Sequence, residues 1–223
     1  MARLPFITFE GTEGCGKSTQ VQRLAERLES LGVSFLVTRE PGGTAIGETI
    51  RELLQFAPQG RGMMPETELL LFEASRSQLV REMILPALER GICVISDRFF
   101  DSTTVYQGAA RKLDPAMVEH LNTFAVGQCV PDLTIVLDVD EKTARARLRK
   151  PRRPDRMEME PAEFYEEVRQ AYRQLAARER DRVVLIDGSQ STEEVESQIW
   201  TSLSSRFPRL AVDPQSAIGN PKL

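Results

Sequence analysis

Residues 11–18 read Gly11-Thr12-Glu13-Gly14-Cys15-Gly16-Lys17-Ser18, a complete G-x-x-x-x-G-K-[ST] run. Every position has a chemical reason if the ligand is a polyphosphate. The glycines let backbone N–H groups turn inward around a phosphate. A helix opening at Lys17 adds the positive end of its dipole. The Lys17 ammonium can bridge two successive phosphates, and the Ser18 hydroxyl can ligate Mg²⁺. Cys15 fits as a small filler, because phosphoryl transfer over such a loop uses no thiol.

Two further groups of charged residues narrow the chemistry. Ile95-Ser96-Asp97-Arg98 ends an apolar run with an acid followed at once by a base. Asp97 can hold the water shell of a Mg²⁺ ion, and Arg98 can hold a second phosphate. Arg145, Arg147, Arg149, Lys150, Arg152, Arg153 and Arg156 then crowd one short stretch in which Asp155 is the lone acid. Two anionic phosphates can be brought into line only if cations offset their repulsion, and positioning plus charge supplies most of the catalysis. The basic stretch reads as a lid that closes over the transferred group and excludes water. The guanine-reading NKxD of a GTPase and the DxxG of its switch are absent from the sequence. A phosphotransferase acting between two phosphate-bearing substrates suits these residues better than a mechanical ATPase or a non-enzymatic nucleotide switch.

Elements of the right kind surround these residues. Short apolar runs at 5–9, 33–37, 92–96, 133–137 and 183–186 read as strands buried on both faces. Helical periodicity covers 17–31, 65–90, 114–126, 140–149, 161–179 and 192–203, with Val21, Leu24 and Leu28 on the first stripe and Val195, Ile199 and Leu203 on the last. Alternation of strand and helix predicts an α/β fold with a five-stranded parallel sheet, helices on both faces, and ligands at the carboxyl ends of the strands. The expected organisation is one domain over 1–206, a lid at about 149–158, and a C-terminal tail over 207–223.

The 223 residues carry a formal charge of −4, which argues against general nucleic-acid binding. Three scattered cysteines, Cys15, Cys93 and Cys129, form no CxxC and fit a reducing compartment. No apolar run reaches the ~20 residues of a membrane helix, and the first residues lack a signal-peptide core. A cytoplasmic protein without membrane or nucleic-acid partners is expected.

The motifs, in this order, resemble the thymidylate kinase family over about residues 5–203. FEGTEGCGKSTQ is similar to the family's phosphate loop, TREPGGTAIGETIR (38–51) to its acceptor loop and following helix, and LLFEASRSQ (70–78) to its base-reading helix. SDRFFDSTTVYQG (96–108) is similar to its Asp-Arg segment, and PDRME (154–158) to its bacterial-type lid. The resemblance implies a three-layer P-loop nucleoside monophosphate kinase fold and the reaction ATP + dTMP → ADP + dTDP, with Mg²⁺, on the route to dTTP. Another nucleoside monophosphate kinase or a deoxynucleoside kinase on the same scaffold is the alternative. ATP contacts would come from 11–19, ending at Thr19, with Ser18 and Asp97 on the metal. Phe72 would stack on thymine and Arg76, one turn on, would hydrogen-bond it. Arg51 and Arg98 would hold the 5′-phosphate and Glu40 would sit beside it. Ser102, Thr103 and Gln107 would complete the pocket, and Glu13 would accept the 3′-OH. Family members of the eukaryotic type carry an arginine where this chain has Gly14, so the catalytic cation must come from the lid, with Arg156 first and Arg153 second. Lys17, Arg98 and Glu13 complete the expected catalytic set. The family is typically homodimeric, and the apolar faces of 65–90 and 114–126 would serve as interface. His120 lies outside every motif, and a phosphate acceptor needs no general base.

Overall fold

A computed structural model describes residues 3–148 and 156–211. Five parallel strands, β1 (Phe6–Glu10), β2 (Phe35–Arg39), β3 (Cys93–Asp97), β4 (Leu133–Asp138) and β5 (Val183–Asp187), lie in the order β2-β3-β1-β4-β5. The parallel α/β architecture expected from the alternating pattern is what the chain adopts. Side chains alternate across the sheet, as period-2 geometry requires. Ile7, Ile95 and Ile135 point to one face, where helices α1 (Lys17–Ser30) and α9 (Thr192–Arg206) cover them with Val21, Leu24, Leu28, Val195, Ile199 and Leu203. Phe6 and Val94 point to the other, under helices α3 (Pro65–Leu79) and α4 (Leu85–Glu89). Val136 on that face meets helix α8 (Ala162–Arg178).

The strands run one to two residues further at their carboxyl ends than the apolar runs suggest. Their last residues are Glu10, Arg39, Asp97, Asp138 and Asp187, all charged. An apolar criterion stops before such residues, yet they belong to the ladder and line the end where α/β sheets bind ligands. The expectation of burial on both faces holds for the central strands β3, β1 and β4 up to their ends. On the edge strands β2 and β5 it fails, and Val37 and Leu185 are exposed.

The helix expected over 65–90 is one continuous path, but it changes winding. A π-helical turn at Val80–Ile84 separates α3 from α4. Helix α2 (Ala45–Gln55) occupies the end of the acceptor-loop segment, opened by Thr44, whose side chain accepts from the Gly47 N–H. Periodicity gave no warning of the helix over 100–110. Helix α5 (Phe100–Thr103) passes into a π-helical stretch, Thr104–Ala110, and FDSTTVYQGAA is too polar and β-branched to show a 3.6-residue stripe. Helices α6 (Pro115–Val126) and α7 (Glu141–Arg147) complete the set.

A buried ion pair anchors the 100–110 helix. Arg182, just before β5, donates to both Asp101 oxygens at 2.6 and 2.9 Å. Beyond 206 the chain stays with the core. Pro208–Ala211 makes a 3₁₀ turn, and Leu210 is fully buried in the α1–α9 cluster. Residues 212–223 of the expected tail lie outside the described residues. No helix among the described residues is long and apolar enough to cross a membrane.

Candidate active site

Glu10 ends β1, and the loop from Gly11 to Gly16 turns the chain into α1. Gly16 adopts φ 104° at the position before the helix, where nothing lies within 4 Å of a built Cβ, so the loop opens toward the cleft. No side chain caps α1, which leaves its first N–H groups for a ligand. At Gly11 a Cβ would come within 2.6 Å of the Leu137 carbonyl oxygen, and at Gly14 it would collide with the Ala144 carbonyl of α7. The place at which the eukaryotic-type pattern puts an arginine therefore has no room for any side chain. Lys17 is buried, and its ammonium donates to the Gly11 and Thr12 carbonyls at 3.1 and 2.8 Å. Ser18 Oγ donates to Asp97 Oδ2 at 2.9 Å. Helix start and β3 tip thus bring the two expected metal ligands together. Both donors are hard oxygens, which suits Mg²⁺. Groups of three or more protein metal ligands are absent among the described residues. Such a pair fits an ion that completes its shell with phosphates and water, as Mg²⁺ usually does.

Lys17, Ser18, Thr19, Asp97, Arg98, Glu13, Glu40 and Arg51 border one cleft of about 530 Å³. Gln55, Arg147 and Glu158 also border it: Arg147 belongs to the basic stretch and Glu158 to the lid motif, while Gln55 lies in no motif. Arg147 donates to the Gly188 carbonyl at 2.8 Å, fixing the end of α7 against the loop after β5. Thr12 and Cys15 sit behind the cleft as buried loop residues.

A second pocket adjoins it. Phe72, Pro41, Ser102, Thr103, Tyr106, Gln107 and Met157 form its wall, with Glu13, Gln55 and Arg98 shared between the two. Arg98 has φ 72°, an uncommon conformation for a side chain with Cβ and one that gathers at functional positions. Its guanidinium meets Glu13 Oε1 at 2.6 Å, Ser102 Oγ at 3.1 Å and Tyr106 Oη at 3.3 Å. Burial alone would raise the Glu13 carboxyl. The charges of Arg98 and Lys17 outweigh it and bring Glu13 below its ordinary value. Beneath Arg98 lies Glu10, which accepts from the Phe99 N–H at 2.7 Å, Ser102 Oγ at 2.6 Å and Tyr172 Oη at 2.7 Å, and whose pKa burial raises. Glu10, Tyr106 and Tyr172 were not foreseen. The one signal for Glu10 is its place, a carboxylate at the end of a strand that runs into a phosphate loop.

Phe72 and Arg76 part company. Phe72 lines the second pocket. Arg76 does not: its side chain is 1% exposed, and it donates to Glu40 Oε2, Glu73 Oε1 and Asn122 Oδ1 at 2.8, 2.6 and 3.3 Å. Glu40, buried beside the second carboxylate Glu73, has a pKa pushed up to about 7, with desolvation the main cause and Arg76 opposing it. Arg51 donates to the Pro41 carbonyl at 2.9 Å, where Pro41-Gly42-Gly43 makes the turn. Thr103 and Gln107 face the Phe72 pocket from one side of the 100–110 helix. Thr103 Oγ1 is buried without a partner among the described residues, as a group that waits on a ligand would be.

Of the lid, residues 149–155 lie outside the described residues, Arg153 among them. Arg156 is placed: its N–H donates to the Gln55 carbonyl, Nε donates to the Leu54 carbonyl at 2.9 Å, and Nη2 sits 2.6 Å from Glu68 Oε2. Its guanidinium therefore lies at the end of α2 and is absent from the wall of the Lys17 cleft. His120 is exposed on α6 and lines neither pocket.

Comparison with known proteins agrees with this geometry. A family model described as thymidylate kinase matches residues 9–199. A thymidylate kinase of Kosmotoga olearia is 46% identical over 194 residues, 87% of this chain and 92% of that one. One from Geobacter sulfurreducens is 46% identical over 210 residues, 92% of this chain and 98% of that one. The crystal structure of thymidylate kinase from Ehrlichia chaffeensis superposes with a TM-score of 0.74 at 34% identity, covering 91% of this chain and 99% of that one.

Proposed function

The chain belongs to the thymidylate kinase family, and we infer that it transfers the γ-phosphoryl group of ATP to dTMP, giving dTDP. One observation carries the reading beyond a general phosphate site. Glu13 and Arg98 border both the Lys17 cleft and the Phe72 pocket. A nucleotide in each would meet phosphate to phosphate across those two side chains.

In this reading Lys17 leaves the Gly11 and Thr12 carbonyls for the β- and γ-phosphates, and the N–H groups of 11–19 cradle the β-phosphate. Ser18 and Asp97 would hold Mg²⁺, which when bound would offset negative charge on the phosphate groups. Arg98 and Arg51 grip the dTMP phosphate, because a dianion favours fork-shaped donors. Glu13 turns to the deoxyribose 3′-OH, and Glu40 stays close to the phosphate. Phe72 stacks on the thymine while Ser102, Thr103 and Gln107 complete its pocket. Arg76 supports that pocket from behind by neutralising Glu40 and Glu73. The attacking phosphate oxygen is already deprotonated, so no side chain has to remove a proton. Arg156, with Arg153 as second choice, supplies the lid cation. For Arg156 to reach the transferred group it must leave Glu68.

We assign the chain through Leu210, which packs in the core beyond the expected boundary at 206, to one kinase body with its lid at 149–158, and place the protein in the cytoplasm as a homodimer. Leu70 on α3 and Met117 and Phe124 on α6 support the dimer, since all three are exposed and α3 packs on α6. The test of function is ADP release with ATP, Mg²⁺ and a panel of acceptors. Turnover with dTMP and little with dCMP, dGMP or thymidine is expected. Turnover on a different acceptor, or none, overturns the assignment.

A further inference from the structure

Glu68 lies in the first turn of α3, in no motif, and its side chain is 1% exposed. A carboxylate so deeply buried needs partners, and it has three. Arg111 meets both oxygens at 3.3 Å, Arg156 meets Oε2 at 2.6 Å, and Gln107 Nε2 donates to Oε1 at 2.7 Å. Burial acts to raise its pKa, but the Gln107 N–H and the two arginines prevail and hold it below its ordinary value. At neutral pH Glu68 is therefore an acceptor only.

That fact fixes the neighbouring amide. An Asn or Gln side chain can often turn over, exchanging its oxygen and its NH₂. Gln107 cannot, because an inverted amide would set its carbonyl oxygen against a carboxylate. The NH₂ is committed to Glu68, and the oxygen, which takes no partner among the described residues, is the end left for the Phe72 pocket that Gln107 lines. Beside it stands the unpartnered Thr103 hydroxyl. A pocket presenting a fixed acceptor next to a hydroxyl suits a pyrimidine whose N3 carries hydrogen, with a carbonyl alongside. Cytosine offers a bare, accepting N3 beside an amino group, and would set acceptor against acceptor.

We propose that Glu68 is a specificity-determining positioning residue, which by locking the amide of Gln107 makes the pocket select bases with an N3–H, thymine and uracil, against cytosine. The inference rests on the dTMP reading above. It predicts what happens when the lock is reversed. In Glu68→Gln the arginines claim the new amide's oxygen, its NH₂ faces Gln107, and Gln107 turns to present its own NH₂ to the base. That arrangement suits cytosine.

The experiment measures kcat/KM for dTMP, dUMP and dCMP in the wild type, Glu68→Gln, Gln107→Met and the double variant, with calorimetric Kd values for the same nucleotides. Glu68→Gln should raise the dCMP:dTMP ratio about tenfold or more, the scale of one misdirected hydrogen bond. A general loss from freeing Arg156 cancels in that ratio. Gln107→Met should weaken discrimination, and the double variant should match Gln107→Met, since Glu68 acts through Gln107. An unchanged ratio in folded Glu68→Gln, or full discrimination in Gln107→Met, overturns the proposal, and the second arm stands even if Glu68→Gln does not fold. A wild type that turns over other acceptors but not dTMP overturns the functional reading itself.

Discussion

The Arg98 guanidinium meets the Glu13 carboxylate at 2.6 Å, joining the β3 tip to the phosphate loop across the boundary of two pockets. Glu13 is the third residue of the loop, and Arg98 is held in a left-handed backbone conformation that aims it there. The pair gives the site an internal counter-ion. In the proposed reaction a phosphate dianion arriving at Arg98 would displace a carboxylate that has a second partner ready, since Tyr106 Oη already donates to Glu13 Oε2 at 3.2 Å.

Lys17→Ala should lower kcat by about 10²–10³-fold or more, the usual scale for removing a preorganised transition-state contact. Among the described residues its ammonium otherwise meets only loop atoms, the Gly11 and Thr12 carbonyls and the Cys15 sulfur, so thermal unfolding should shift little. Steady-state kinetics beside a melting curve check both parts. Near-normal turnover would refute the cradle.

Phe72→Ala and Arg76→Ala should fail in different ways. Loss of base stacking is worth about 1–3 kcal/mol, roughly 5–150-fold. Phe72→Ala should raise KM for dTMP by that factor with KM for ATP nearly unchanged. Arg76→Ala strands Glu40 and Glu73 as buried carboxylates without their cation, at about 3–5 kcal/mol. At about 2–4 °C per kcal/mol that lowers Tm by roughly 6–20 °C. If Arg76→Ala melts like the wild type and changes only dTMP affinity, the residue reads the base instead.

The contrast shows where sequence reasoning stops. The phosphate loop is legible because its chemistry is local: eight consecutive residues carry the spacing and a strand and a helix bracket it. Phe72 and Arg76 are spaced to share a helix face, but that only Phe72 of the two lines the second pocket depends on Glu40 and Asn122, far away in the chain. Glu10, Glu68 and Glu73 look like any solvated carboxylate until burial is known. The charged strand ends and the π-wound helix over 100–110 hide for a related reason. Residues that serve a ligand interrupt the apolar pattern from which elements are read.

Glu40 should leave a pH signature. Its carboxyl titrates near 7 in the fold, above the ordinary value of 4.5. Between those two values the native state binds the extra proton, so this group's contribution to stability is complete below about pH 4.5 and is lost as pH rises through about 7. Glu40→Gln lacks that loss. The Tm advantage of the wild type over Glu40→Gln should therefore be larger at pH 5 than at pH 8. An advantage that is the same at pH 5 and pH 8 would mean Glu40 is ionised throughout that range.

Gly14 and Gly62 provide a controlled test of how the phosphate loop seats against α7. Both have φ +76°, so an alanine at either carries the same backbone strain, about 1–2 kcal/mol. At Gly62 nothing lies within 4 Å of the new Cβ, while at Gly14 the Cβ meets the Ala144 carbonyl of α7 and the Leu148 side chain. Gly62→Ala should thus cost stability alone. Gly14→Ala should cost more, and should also raise KM for ATP, because the loop must shift or push back the helix that leads into the lid. Melting curves and ATP titrations of the two variants isolate that packing contact, since the backbone term is common to both. Equal losses in Tm with unchanged KM would show that the loop tolerates a side chain at this point, and that steric exclusion is not why the cation must come from the lid.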